Sequence, residues 1–258
     1  MNAPLAGLGV AVTRPAGSGD ALAARLTTLG ANVLLFPAIV LEPAPLSAEA
    51  ADLLEALEGF DWAVFISPGA VACFTDLRRQ REWPAGVRTA AVGTATAASL
   101  RAAGAGEVVV PAAGDGAAAL LATPGFAAGR GARVLIVRGE GGRAELAETL
   151  AARGAEVSEV ALYRRVPPAD GARLFDWLRA QPRPALLVTS VTALEHLESL
   201  AQSAEERTLL HAAQLVVASR RVVKQAEILD YRHISLAADA GDAALTAALL
   251  RWWSPEHS

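Results

Sequence analysis

The chain has 258 residues, of which 53% are hydrophobic and 19% charged, and its formal net charge is −4. That length allows one large domain or two of ordinary size, the apolar content excludes a disordered chain, and the acidic balance argues against nucleic acid, which calls for a basic face. The single cysteine, Cys73, excludes an intrachain disulfide and a cysteine-based metal cluster, and no apolar run approaches the ~20 residues of a membrane helix.

The elements alternate along the chain. Val10 to Thr13 is predicted as a strand, Asp20 to Leu29 as a helix with Leu22, Leu26 and Leu29 on one face, and Val33 to Phe36 as the next strand. Gly30 suits the position after that helix. A Pro-punctuated stretch around Pro43 to Pro45 leads to a helix from Ser47, its N-cap, to Leu57. Trp62 to Ile66 is an apolar strand ended by Ser67-Pro68-Gly69, and a helix from Ala70 to Arg79 carries Cys73 among apolar residues. Then come strand Arg88 to Val92, helix Thr96 to Ala103, strand Val108 to Val110 and helix Asp115 to Leu121.

The second half keeps this rhythm. Strand Arg133 to Val137, helix Arg143 to Arg153 and strand Val157 to Tyr163 precede the Pro167-Pro168 break. Helix Gly171 to Ala180, strand Ala185 to Thr189, helix Thr192 to Leu200, strand Leu215 to Ala218, helix Arg221 to Leu229, strand His233 to Leu236 and helix Asp242 to Trp252 complete it. Strands alternating with ~10-residue helices predict an α/β protein with parallel sheets covered on both faces.

The chain also repeats itself. Shifted by 124 positions, Gly7, Val10, Arg14, Gly17, Leu22, Leu26, Gly30 and Val33 fall without a gap on Gly131, Val134, Arg138, Gly141, Leu146, Leu150, Gly154 and Val157. The later strand ends align too: Ser67 with Ser190, and Thr94 with Ser219. Each half therefore places Arg, then Ser, then Ser or Thr at successive strand-to-helix junctions. Such junctions are helix N-termini with free N–H groups and partial positive charge, the usual ligand edge of an open α/β sheet and a suitable seat for anions. Taken singly, each hydroxyl is equally an ordinary N-cap. The 23 basic residues are all Arg except Lys224. High-GC coding accounts for that, and so does a need for bidentate carboxylate binding.

Several familiar signals are missing. Gly17-Ser18-Gly19 and Gly139-Glu140-Gly141 follow strands, but the third glycine of a dinucleotide fingerprint is Leu22 in one copy and Glu145 in the other. Phe36 and Tyr163 stand where its acidic residue belongs. There is no phosphate loop and no Gly-x-Ser-x-Gly elbow. The histidines His196, His211, His233 and His257 lack metal-ligand spacing, so no metal site is expected.

Val12-Thr13-Arg14-Pro15, Asp61 to Val71, Ala91 to Ala97, Val134 to Arg143, Leu146 to Val157, Tyr163-Arg164-Arg165, Val188-Thr189-Ser190 and Ala238 to Leu245 follow one another in an order and spacing that resembles the uroporphyrinogen-III synthase family over essentially the whole chain. The resemblance implies two similar flavodoxin-like domains joined by a two-stranded linker, with a cleft between them. It divides the chain into a discontinuous domain of residues 1–37 plus 168–258 and an inserted one of 38–165, with linkers near 36–45 and 160–168. Periodicity alone would suggest a division in the middle.

The activity it implies is that of a cyclising hydro-lyase in tetrapyrrole biosynthesis. Hydroxymethylbilane loses water to give an azafulvene, and ring D is attacked at its substituted carbon and inverted through a spiro intermediate. No cofactor is implied. Arg14, Arg138 and Arg143 become candidate partners for the substrate's eight carboxylates. Ser67, Thr94, Thr96, Ser190 and Ser219 become candidate hydroxyl and helix-terminus contacts, and Tyr163 a candidate general acid. Ser219-Arg220-Arg221 departs from the family, in which some members have Thr, and offers Arg220 or Arg221 as an anion donor instead. A cytoplasmic monomer is expected, with hydroxymethylbilane as small-molecule partner, transient contact with the preceding deaminase, and neither nucleic acid nor membrane. The rival reading is a non-catalytic two-domain protein that binds an anion or a tetrapyrrole.

Overall fold

The structure is a computed structural model that describes residues 3–78, 81–142 and 144–253. Arg143, one of the candidate carboxylate partners, lies outside the described residues. The chain divides into two compact units, one of residues 1–40 and 166–258, the other of residues 41–165.

The first unit holds strands β1 (Gly9–Val12) and β2 (Asn32–Leu35), joined by helix α1 (Asp20–Thr28). The second unit opens on β3 (Val40–Pro43), at the boundary between the two, and continues with α2 (Ala48–Glu55), β4 (Trp62–Phe65), α3 (Pro68–Arg78), β5 (Arg88–Ala91), α4 (Thr94–Ala102), β6 (Val108–Val109), α5 (Ala117–Leu121), β7 (Arg133–Gly139), α6 (Glu145–Ala152) and β8 (Glu156–Val166). The chain then completes the first unit with α7 (Ala172–Arg179), β9 (Pro184–Val188), α8 (Val191–Leu200), α9 (Ala204–Ala212), β10 (Gln214–Val217), α10 (Arg220–Ile228), β11 (Ile234–Leu236) and α11 (Asp242–Trp253).

In the first unit the sheet order is β11-β10-β9-β1-β2, with β1 parallel to both β2 and β9. Successive side chains alternate between the faces. Val10 and Val12 join Leu22 and Leu26 of α1 and Leu245 and Leu249 of α11. Ala11 instead joins Leu174 and Leu178 of α7, Leu194 and Leu197 of α8, and Val222 and Ala226 of α10 on the opposite face.

The second unit repeats the plan in the order β3-β8-β7-β4-β5-β6. Ala63 and Phe65 face Val71 and Phe74 of α3 and Leu100 of α4. Trp62 and Val64 face Leu120 of α5 and Leu146 and Leu150 of α6.

The 124-residue repeat is visible in this topology. β1, α1 and β2 correspond to β7, α6 and β8, while β4, β5 and β6 correspond to β9, β10 and β11. With those equivalences both sheets have the same strand order, and β3 is added at one edge of the second. Each half of the chain therefore gives its first βαβ element to one unit and its last three strands to the other.

The helix ends repeat as well. The N–H of Gly30 donates to Thr27 and that of Ala31 to Leu26; the N–H of Gly154 donates to Ala151 and that of Ala155 to Leu150. This pair of hydrogen bonds closes a helix on a left-handed residue, and φ is +94° at Gly30 and +85° at Gly154.

The structure corrects the sequence reading in four places. β3 was not expected; it is a four-residue edge strand that tolerates Pro43 because it lies at the sheet margin. α9 is absent from the periodic pattern because Leu210 is its one buried residue, which makes its apolar stripe faint. α4 starts at Thr94 on a Gly93 cap, and not at Thr96. α5 starts at Ala117, after Gly116 at φ +106°, which leaves Asp115 outside the helix.

Candidate active site

Strands β11, β10, β9, β1 and β2 of the first unit run parallel, as do β8, β7, β4, β5 and β6 of the second, so their carboxyl ends line one edge of each unit. The following helices begin there, and their first N–H groups lack intrahelical partners. Two rims of the same design result, one in each unit.

In the first unit the Thr13 hydroxyl, at the end of β1, donates to the Leu187 carbonyl at 2.7 Å and is buried. The next residue, Arg14, donates to Asp242 Oδ1 at 2.6 Å and to the carbonyls of Ser18 and Ala240. Its side chain is 15% exposed. Arg14 thus ties the β1 turn to the start of α11. Ser190 caps α8, accepting from the N–H of Ala193 at 3.1 Å, and Ser219 caps α10, accepting from Val222 at 3.4 Å. Between these two helix starts lies a cavity of about 240 Å³ lined by Thr189, Ser190, Thr192, Ser219 and Arg221. Arg221 makes no ion pair among the described residues. Helix dipoles, hydroxyl donors and an uncommitted guanidinium together suit a carboxylate.

In the second unit Arg138 repeats the pattern of Arg14. It pairs with Glu159 and donates to the Gly141 carbonyl across the turn after β7. Gly141 has φ +69° and its counterpart Gly17 +77°, so the two turns share a left-handed residue at the same place. Ser67 caps α3, its Oγ accepting from the N–H of Ala70 at 3.1 Å. Tyr163 lies beneath this rim, 1% exposed. Its hydroxyl is 2.9 Å from Ser67 Oγ and accepts from Arg165 Nη2 at 2.9 Å. The ring has room because Gly139 borders it without a side chain, while Gly69 lies near its other edge. A Cβ on Gly139 would lie 2.6 Å from Tyr163 Cε2, and one on Gly69 would lie 3.5 Å from Cε1.

The structure brings Ser67 and Tyr163 together in one rim, and Ser190 and Ser219 together in the other. Thr94 is exposed at the start of α4, but its N–H donates to Asp115 Oδ1 at 3.3 Å, so a carboxylate of the protein itself sits on that helix end. Thr96 is 3% exposed and lies inside the second unit, not on its open edge. Arg14 and Arg138 are held by acidic and carbonyl partners, and direct contact with a ligand would require an exchange of those partners.

The sequence reading missed Arg165, Asp115, Asp242 and Glu159. Arg165 had a legible signal: it stands two residues after Tyr163 on a strand and so shares its face. The acidic partners carried none, because they come from distant loops and strands.

The sequence matches the family described as uroporphyrinogen-III synthase HemD over residues 20–247. Among curated proteins it is 36% identical over 246 residues to the uroporphyrinogen-III synthase of Escherichia coli, an alignment covering 94% of this chain and all of that protein. It is 35% identical over 245 residues to the enzyme of that name from Salmonella typhimurium, with the same coverage. The fold is similar to a uroporphyrinogen-III synthetase of Helicobacter pylori, with TM-score 0.59, 12% identity and coverage of 95% of this chain and 99% of that one. It is also similar to a mutant uroporphyrinogen III synthase of Thermus thermophilus, with TM-score 0.58, 23% identity and coverage of 95% and 98%.

Proposed function

Because the chain belongs to the uroporphyrinogen-III synthase family, we propose that it cyclises hydroxymethylbilane to uroporphyrinogen III with loss of water and inversion of ring D. The observation that carries this reading is the end-to-end match to the Escherichia coli enzyme, 36% identical over 246 residues. The rims support it chemically. A substrate with eight carboxylates needs many donors and few acceptors. Each rim offers helix N-termini, hydroxyls and an arginine with no acidic partner among the described residues, namely Arg221 in the first unit and Arg165 in the second.

The chemistry asks little of a strong acid or base. Unassisted closure gives the uninverted isomer, so the protein's work is to hold the terminal rings until the substituted carbon of ring D is attacked. Arg221 with the starts of α8 and α10 is assigned to carboxylate binding, with Ser190 and Ser219 holding those helix ends. Arg14 and Arg138 keep the two glycine turns in shape and offer charge close by. Ser67, backed by Tyr163 beneath it, faces the departing hydroxyl or a neighbouring carboxylate. No helix among the described residues is long and apolar enough to cross a membrane. We assign the protein to the cytoplasm as a monomer that receives its unstable substrate by transient contact with the deaminase that makes it.

The test is to supply freshly generated hydroxymethylbilane, oxidise the product and separate isomers I and III. Predominant isomer III is expected. Isomer I alone, at the rate without protein, would remove the enzyme reading and leave a non-catalytic binding protein.

A further inference from the structure

We infer that Arg165 is a positioning residue. It fixes the direction of a hydrogen-bond chain through Tyr163, so that Ser67 presents its hydroxyl hydrogen outward to an oxygen acceptor of the substrate. The inference rests on the function proposed above and adds to it a residue and a direction.

The direction follows from counting hydrogens. A guanidinium only donates, so the Tyr163 oxygen accepts from Arg165 Nη2 at 2.9 Å. Tyr163 has one hydrogen left to give and is 1% exposed, so water cannot take it. Ser67 Oγ, at 2.9 Å, is the one acceptor placed for it among the described residues. A buried donor without a partner carries its full desolvation penalty, so Tyr163 donates to Ser67 and not the reverse. Ser67 Oγ also accepts from the N–H of Ala70 at 3.1 Å. With both of these donors directed at its oxygen, the hydroxyl hydrogen of Ser67 has no acceptor among the described residues, and Ser67 is half-buried at the rim.

The ring is held in a packed core that includes Phe65 and Phe74. At Gly139 the ring fills the space that a Cβ would need, and the Arg165 guanidinium lies 5.2 Å from its centroid. Arg165 itself is exposed and in no ion pair among the described residues, so its charge polarises the chain without compensation by a carboxylate. A cation at one end and a helix N-terminus at the other both favour an electron-rich oxygen in front of Ser67. Two substrate oxygens have that chemistry: a side-chain carboxylate and the departing hydroxyl.

Two measurements test the chain. The first is kinetic. Arg165→Met is expected to lower kcat/KM for isomer III about tenfold, the scale of one well-placed hydrogen bond, and Arg165→Lys to recover most of it. A rise in KM alone assigns the acceptor to a carboxylate, and a fall in kcat alone assigns it to the departing hydroxyl. In a Tyr163→Phe background, Arg165→Met should cost nothing further. The second is spectroscopic and needs no turnover. The chain has two tyrosines, so [¹³Cζ]tyrosine labelling gives two signals, and Arg165→Met should move that of Tyr163 and leave that of Tyr231. Equal losses from Arg165→Met with and without the Tyr163 hydroxyl would overturn the inference, as would an unmoved Tyr163 signal. A wild-type protein that makes no isomer III would overturn the functional reading alone, since the labelled tyrosine still reports the chain.

Discussion

Gly139→Ala separates the need for space around Tyr163 from a general intolerance of change. Gly139 ends β7 and pairs with Tyr163 across the bulge between β7 and β8. Its φ is not in the left-handed region, so alanine brings no backbone cost there. The cost is steric. The new Cβ would lie 2.6 Å from Tyr163 Cε2 and 2.9 Å from Cε1, and the ring belongs to a packed core that includes Phe65 and Phe74. Overpacking of this kind costs about 1–3 kcal/mol. Moving the ring also disturbs the hydrogen bonds to Ser67 and Arg165, at roughly 1 kcal/mol each. A loss of about 3 kcal/mol is expected, which lowers Tm by roughly 10 °C in a protein of this size.

Gly69→Ala is the control. Its Cβ would meet Leu41 Cδ1 at 2.6 Å, but Leu41 is 42% exposed and its side-chain end can turn away. Under about 1 kcal/mol is expected. Thermal unfolding of both variants, with isomer analysis of the product, checks the pair. Equal Tm values for Gly139→Ala and wild type, or a larger loss for Gly69→Ala, would refute the steric argument.

Gly17→Ala and Gly141→Ala should each cost about 1–2 kcal/mol, with Asn costing less, because only the left-handed backbone is strained and nothing lies within 4 Å of either new Cβ. Denaturant unfolding that shows a loss for one and none for the other would break the equivalence of the two turns. Arg221→Ala should raise KM about tenfold with kcat little changed, the signature of a carboxylate held equally throughout the reaction; an unchanged KM in steady-state assays rejects that assignment. Burial, reinforced by the nearby Glu198 carboxylate, raises the Tyr231 phenol above its ordinary value of 10.0. The unfolded chain then loses this proton first, so stability is unaffected below about pH 10 and falls above it by about 1.4 kcal/mol per pH unit. Urea titrations between pH 8 and 11 should show that slope reduced in Tyr231→Phe, and an identical slope would contradict the linkage.

The periodic parts of the fold were legible because burial on both faces leaves an unmistakable pattern. Trp62 to Phe65 and Gly9 to Val12 are buried at every position, and both read as strands. The repeat was legible because Gly30 and Gly154 close helices in the same way, and few residues can replace them there. The elements that escaped are those held by sequence-distant or polar contacts. β3 is an edge strand with exposed Val40 and Leu41. α9 depends on the reciprocal cap of Ser203 and Glu206, a signal present in the sequence but attached to a weak apolar stripe. In the rims, residue types were legible and their commitments were not. Nothing near Arg14 in sequence announces Asp242, which is 228 residues away. Nothing near Thr94 announces that Asp115 occupies the start of α4. Tyr163 was recognised, but its burial beneath Gly139 follows from a strand register that a single sequence does not reveal.

The exchange of βαβ elements between the halves also biases the order of assembly. The second unit is one continuous segment, residues 41–165, and the Arg133 N–H to Asp61 bond beside the β4–β7 pair spans 72 residues. The first unit must join β1 to β9, and the Thr13 to Leu187 bond spans 174 residues. Closing the longer loop from an unfolded chain costs about 0.8 kcal/mol more. The larger effect is that the shorter loop shortens the longer one. Once the second unit is folded, Ala44 and Leu162 are joined by a hydrogen bond of 2.9 Å, so the two segments of the first unit emerge from neighbouring strands and no longer span a free chain. Shortening the 174-residue loop to roughly 56 residues in this way lowers its closure cost by about 1 kcal/mol, a modest bias toward folding of the inserted unit first. The helix starts of the first rim around Arg14, Ser190 and Ser219 come together only when β1 pairs with β9, so the same bias favours their forming after the second rim.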